Sequence, residues 1–174
     1  DSITSGLNSV YDLEWTTHKI ASGLIILVIL AEAIRLHLGI TIYGQRAYEA
    51  KQVSALAWGT FSVGMVLLLA PEVGTSGAAY GMPIILSLSL GDPLLGELRR
   101  LGFDNRKVII LGTLGISLIW LASNLALETP WWMIIMLPPI CVAAEWPRLR
   151  WIDDNATITL IPLSIILILH PWIA

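Results

Sequence analysis

Lys107-Val-Ile-Ile-Leu-Gly-Thr-Leu-Gly-Ile-Ser-Leu-Ile-Trp-Leu-Ala-Ser-Asn-Leu-Ala-Leu127 carries a single charge, at its first residue, and is followed at once by Glu128-Thr-Pro130. Such a run matches the roughly 20 residues a helix needs to cross the hydrocarbon of a bilayer. It is continuously apolar rather than alternating. A helix, which satisfies its own backbone in lipid, is therefore preferred to a barrel strand. Working outward, similar runs recur at about 19–39, 52–71, 74–92, 130–146 and 155–173, each near the length of one crossing. The pattern predicts an all-α, polytopic transmembrane bundle of about six helices, with residues 1–174 forming a single integral membrane domain.

Composition agrees. Of the 174 residues 56% are hydrophobic and 13% charged, against roughly 25% charged in a soluble domain. A net charge of −3 argues against a nucleic-acid partner, which needs phosphate-neutralising cations. Cys141 lies in an apolar run and has no second cysteine to pair with, so it says little about redox compartment. Residues 1–14 are polar and read as a loop or interfacial segment without a cleavable signal peptide. Gly74, Gly77, Ala78, Ala79 and Gly81 are expected to let the third helix pack closely on its neighbours.

The connections alternate in charge. Eight of the ten Lys and Arg residues lie in the first, third and fifth: Arg46, Lys51, Arg99, Arg100, Arg106, Lys107, Arg148 and Arg150. Arg35 lies near the same end of the first span, and only Lys19 departs from the pattern. The positive-inside rule puts these connections in the cytoplasm and both termini on the other side. Trp131, Trp132, Trp151 and Trp172 fall near span ends, where aromatic belts form.

That topology brings the chemically informative residues to one side. Glu145-Trp-Pro-Arg-Leu-Arg-Trp-Ile-Asp153-Asp154-Asn155-Ala-Thr157 crowds three carboxylates and an amide into a short turn between spans, and Asp92 ends the third span. Carboxylates this close repel, and ionised carboxylates near hydrocarbon are costly. A divalent cation relieves both problems, and carboxylate oxygens suit Mg²⁺. Asp153, Asp154 and Asn155 also suit a helix N-cap, although one residue suffices for that. Gly91-Asp92-Pro93 also reads as a helix end with a turn, since proline restricts the residue before it. Arg99, Arg100, Arg106 and Lys107 match a phosphate-binding loop, and equally match what topology alone demands. Glu32 and Arg35, spaced i,i+3, are either an intrahelical ion pair or part of the site. No Walker run, nucleophile elbow or histidine cluster is present.

These residues resemble a known family. Glu145 followed by Asp153-Asp154-Asn155-Ala156-Thr157 is similar to the glutamate…Asp-Asp-Asn-x-Thr signature of the dolichol kinase/phytol kinase/CTP-dependent diacylglycerol kinase family. Gly91-Asp92-Pro93-Leu-Leu-Gly-Glu-Leu-Arg99-Arg100-Leu-Gly102 is similar to that family's Gly-Asp-x-x-Ala-x-x-x-Gly-Arg-x-x-Gly segment, with Arg99 where a glycine is usual. Trp15-Thr-Thr-His18-Lys19-Ile-Ala-Ser-Gly23 replaces the family's Arg-Lys-x-x-His run and departs from its spacing. The related phosphatidate cytidylyltransferases share the Gly-Asp region but not this ending.

The resemblance implies a membrane kinase that moves the γ-phosphoryl group of CTP to the hydroxyl of a polyprenol, phytol or diacylglycerol. It implies Mg²⁺ on Asp92, Asp153, Asp154 and Glu145, with Asn155 orienting them. Arg99, Arg100, Arg106, Lys107 and Thr157, with Glu32 and Arg35, are expected around the nucleotide. The alternatives are a cytidylyltransferase making a CDP-lipid and a non-enzymatic transporter. By this reading Arg150→Gln should matter much less than Asp154→Asn.

Overall fold

The computed structural model describes residues 17–42, 45, 47–74, 77–147 and 149–173. The N-terminal segment with Trp15, and the cations Arg46 and Arg148, lie outside them. Among the described residues the secondary structure is helical, apart from one isolated bridge between Val73 and Ala78. The helices are α1 (Thr17–Leu38), α2 (Ala55–Leu69), α3 (Gly81–Leu86), α4 (Asp92–Arg100), α5 (Asn105–Leu127), α6 (Trp131–Ala144) and α7 (Asp154–Ile173). A 3-10 turn, Ala47–Lys51, precedes α2, and a π-helical turn, Ser87–Gly91, joins α3 to α4 as one rod.

Local chemistry sets the helix starts. Ser54 caps α2 by accepting the Ala57 N–H at 3.2 Å, and Asp104 caps α5 by accepting the Lys107 N–H at 2.9 Å. Each satisfies one of the backbone donors a helix start leaves open. At its far end α5 stops at Glu128, whose φ of 62° breaks the helical run.

Three helices, α1, α5 and α7, are long and apolar enough to cross a membrane; α2 and α6 are apolar but shorter. The core holds Val66, Ile84, Leu95, Ile116, Trp120, Met133, Leu137 and Ile166. The indole of fully buried Trp120 is satisfied: its Nε1–H donates to Ser87 Oγ at 2.8 Å, which donates to Pro83 O at 2.7 Å. The outside is apolar as well, with Leu27, Ile34, Leu114, Leu118, Leu125 and Ile168 all exposed. An exposed apolar surface this extensive fits a lipid solvent rather than water.

Five predicted spans match the observed helices within a few residues. The third does not. Expected at about 74–92, the rod begins at Gly81 and continues through Asp92 to Arg100. Residues 70–74 and 77–80 are instead outside any helix, and Gly74 and Gly77 take φ of 80° and 67°. Their lack of a Cβ serves backbone reversal; Gly74 also lies close against the Leu127 carbonyl and Ala79, and Gly81 packs against Ala70 and Val66. Pro93 fails to end the helix because it falls in the first turn of α4, after the π-turn. There Asp92 N–H donates to Ser87 O, five residues back. The inserted residue displaces the carbonyl that the proline ring would otherwise strike.

Connections one, three and five meet at one end of the bundle. Asn155 Nδ2 of α7 donates to Ala55 O of α2 at 3.3 Å, and Arg99 of α4 reaches Glu145 beyond α6. The other two meet at the opposite end, where Thr129 Oγ1 donates to Ala79 O at 2.7 Å.

Candidate functional site

Close packing of α4 on α5 builds one wall of the site. Gly112 and Gly115 have no side chain because Leu95 and Leu94 fill the space: a Cβ there would fall 2.2 Å and 2.3 Å from their methyl carbons. This seating fixes Asp92 and Arg99, which are seven residues apart and so share one helix face. The other wall comes from α6, which has 14 residues against 23 in α5. At 1.5 Å per residue it is about 13 Å shorter. It therefore stops early and brings Glu145 alongside α4.

Glu145 is buried, and its carboxylate is half-satisfied. Arg99 Nη1 donates to Oε1 at 2.5 Å, while Oε2 has no hydrogen-bond partner. The Arg99 guanidinium also lies over the Trp146 ring, 5.1 Å from its centre, a favourable cation–π placement. Burial raises the Glu145 carboxyl above the ordinary value; Arg99 opposes the shift and Asp154 adds to it.

Asp92 opens α4, the polar segment beyond the apolar turns of the rod, and is partly buried. Burial, then the charges of Glu145 and Asp154, push its carboxyl up to about 6, with Arg99 opposing. Carboxylates from three separate segments thus act on one another through space. Like charges in one site add to the elevation that burial causes at Asp92 and Glu145.

Above them opens a cleft of about 660 Å³. Its acids are Glu145, Asp153 and Asp154, its cations Arg99 and Arg150, and its amides Gln52 and Asn105. Tyr48, Trp58, Trp146 and Trp151 supply aromatic walls, and Arg150 lies 5.1 Å from the centre of the Trp151 ring. Asp92 is partly buried and is not part of the cleft lining.

Several predicted site residues make hydrogen bonds within the scaffold. Asp153 caps α7, its Oδ1 accepting the Asn155 N–H at 3.1 Å and its carbonyl the Thr157 N–H at 3.4 Å. Asn155 ties α7 to α2 as described, and Thr157 Oγ1 donates back to Asp154 O at 3.0 Å, so neither lines the cleft. Arg35 grips Glu32 with two hydrogen bonds, at 2.8 and 2.9 Å, and donates to the carbonyls of Ile40 and Gln52. Glu32 Oε1 also accepts the Ser54 N–H at 2.6 Å. The pair is a clasp that shapes connection one, joined by buried Glu49, which accepts from Ala55 N–H. Arg100 pairs with Glu97 on the surface, and Arg106 and Lys107 are exposed outside the cleft lining. Lys19 lies at the opposite end of α1 from Arg35.

Sequence reasoning missed the aromatic walls, Gln52, Asn105 and Arg150. Arg150 was visible as a connection cation, but nothing in its neighbours separates a cleft cation from a topological one. Among the described residues no three His, Cys, Asp or Glu side chains stand close enough to enclose a metal ion. The unpartnered Glu145 oxygen and the hard oxygen donors nonetheless suit Mg²⁺. That ion commonly takes one or two carboxylates and completes its shell with phosphate oxygens and water. Searches against protein-family models, curated proteins and solved structures return no match for this chain.

Proposed function

We propose that the protein is a six-span membrane kinase that transfers the γ-phosphoryl group of a nucleoside triphosphate, CTP by the sequence resemblance, to a membrane alcohol. In this reading connections one, three and five face the cytoplasm. The observation that carries it is the meeting of Asp92, Glu145 and Asp154 with Arg99 beside an aromatic cleft, at one end of an apolar bundle. A polar nucleotide and an apolar alcohol can meet only at such a boundary.

Phosphoryl transfer is largely a matter of positioning and charge neutralisation. Glu145 and Asp154 are the residues that would hold Mg²⁺, which when bound neutralises phosphate charge. Arg99 leaves Glu145 for a phosphate oxygen, and its planar fork suits that contact. Arg150 supplies the second cation, from the cleft rim. Asp92 takes the alcohol proton: it is partly buried beside Glu145 and Asp154, and a carboxyl lifted to about 6 is near the optimum for a base at neutral pH. The transporter reading is weaker, since its charges belong near the midplane on several helices.

The test is transfer from γ-labelled CTP, ATP or UTP, with Mg²⁺, to phytol, farnesol, dolichol or diacylglycerol by the purified protein. A labelled lipid monophosphate is expected. Pyrophosphate release with phosphatidate would replace the proposal with a cytidylyltransferase, and no transfer with any pair would remove it.

A further inference from the structure

Helix α1 is the least buried of the three long apolar helices and packs chiefly on α2. Its buried residues are Ala21, Glu32 and Arg35, so two of the three are charged. Apolar residues such as Leu27, Leu30 and Ile34 are exposed instead, where lipid tails solvate them as well as a core would. A buried ion pair adds little net stability, because desolvation offsets the attraction. The bonds that this pair makes beyond itself are what single it out.

Arg35 Nη2–H donates to Gln52 O at 2.7 Å and Nη1–H to Ile40 O at 2.9 Å, so one guanidinium ties the two ends of connection one together. Glu32 Oε1 accepts the Ser54 N–H at 2.6 Å. The segment held in this way carries Tyr48, Gln52 and Val53 of the cleft lining. Ser54 is the N-cap of α2, and its carbonyl accepts the Trp58 N–H at 3.0 Å, which sets Trp58 into the cleft one turn on. The next carbonyl, Ala55 O, accepts from Asn155 Nδ2 at 3.3 Å, and Asn155 adjoins Asp154 of the cleft. The contacts of α1 lead in this way through the aromatic wall to the acids. Neither Glu32 nor Arg35 lines the cleft itself.

We infer that Glu32 and Arg35 are positioning residues: they hold connection one in place as a wall of the cleft, and ligand affinity depends on them although they touch no ligand. The identity of that ligand rests on the kinase reading; the holding of the wall does not. Lysine at position 35 would keep a charge beside Glu32. A single ammonium lacks the planar fork that reaches two carbonyls and both carboxylate oxygens together. Arg35→Lys therefore spares most of the ion pair and loosens the loop.

The test uses the full chain in nanodiscs. With whichever of CTP, ATP and UTP supports transfer, Arg35→Lys should raise the nucleotide KM about tenfold or more and keep kcat within about threefold. The wall is read separately by maleimide labelling, in which buried Cys141 stays silent. Gln52→Cys should label about fivefold faster in the Arg35→Lys background, because the loop opens more often. Asn105→Cys, a cleft residue of α5 rather than of connection one, should label at the same rate in both backgrounds. Glu32→Gln, which turns an amide N–H toward the Arg35 Nε–H, repeats both measurements if Arg35→Lys does not fold. A purely structural role would lower the folded fraction and leave KM at its wild-type value. That result, or unchanged labelling of Gln52→Cys, would overturn the inference. Faster labelling of Gln52→Cys with no transfer from any nucleotide by the wild type would keep the clasp as holder of the wall and remove the kinase reading.

Discussion

At the residue scale, the decisive contrast is between two adjacent arginines. Arg99 crosses to buried Glu145, whereas Arg100 pairs with Glu97 three residues back on the surface. Exposed pairs of the second kind contribute little to stability, because solvent screens them. Arg99→Met should therefore lower transfer by at least tenfold and leave Glu145 unpaired, while Arg100→Met should stay within about twofold, as kcat/KM for the nucleotide would show; these magnitudes follow from the ~1.4 kcal/mol per tenfold rule. Asp92 makes a pH-dependent prediction. Its folded carboxyl titrates at about 6, above the roughly 3.9 of an unfolded aspartate. Between those values the folded chain holds a proton that the unfolded chain has released. Stability therefore falls as pH rises through this window and stays lower above it. Asp92→Asn should melt higher than wild type at pH 7.5 and similarly at pH 4, while losing transfer activity. A variant that melts lower at pH 7.5 would contradict the burial argument. The Asp-Asp-Asn run was legible as a polar cluster, but its division of labour was not. Asp153 caps α7 while also lining the cleft, and Asn155 bonds across to α2, and only the fold shows which partner each side chain meets.

At the scale of elements, the site depends on how closely α4 lies on α5. Gly112 faces Leu95, which is fully buried. Gly112→Ala should overpack this contact and cost about 1–3 kcal/mol. It should also shift α4, weakening nucleotide binding through Arg99. Leu95→Ala in the same chain should restore binding in part, because it empties the space the new methyl needs. Thermal melting and nucleotide titration of the single and double variants check both. Failure of the second change to help would mean that Gly112 serves helix α5 itself. The misplaced third span belongs here too. Residues 74–92 are as apolar as a crossing helix, and hydropathy does not register that Gly74 and Gly77 adopt left-handed backbone. Nor does it register that a π-turn carries the helix past Pro93. Those outcomes turn on backbone geometry, to which an apolar average is blind.

At the scale of the whole molecule, the polar connections collect at one end and the outside is apolar. The proposed orientation can be read by cysteine labelling, since Cys141 is buried and is the only native cysteine. Lys51→Cys and Phe103→Cys, both exposed at the charged end, should react with an impermeant maleimide only from the cytoplasmic side. Glu72→Cys, exposed in the opposite connection, should react only from the other. Labelling of all three from one side would refute the sidedness. The sequence by itself determined that the chain is a helical membrane protein and that its carboxylates lie at helix ends. Run length and loop charge are local quantities, and lipid as solvent permits few alternatives to a helix. The tertiary structure alone decided that Asp92, Glu145 and Asp154 share one field, that Glu32 and Arg35 clasp a loop instead, and that Arg150 and four aromatic rings line the cleft. Those relations join residues far apart in the chain, and they are set by which helices pack together and where a short α6 ends.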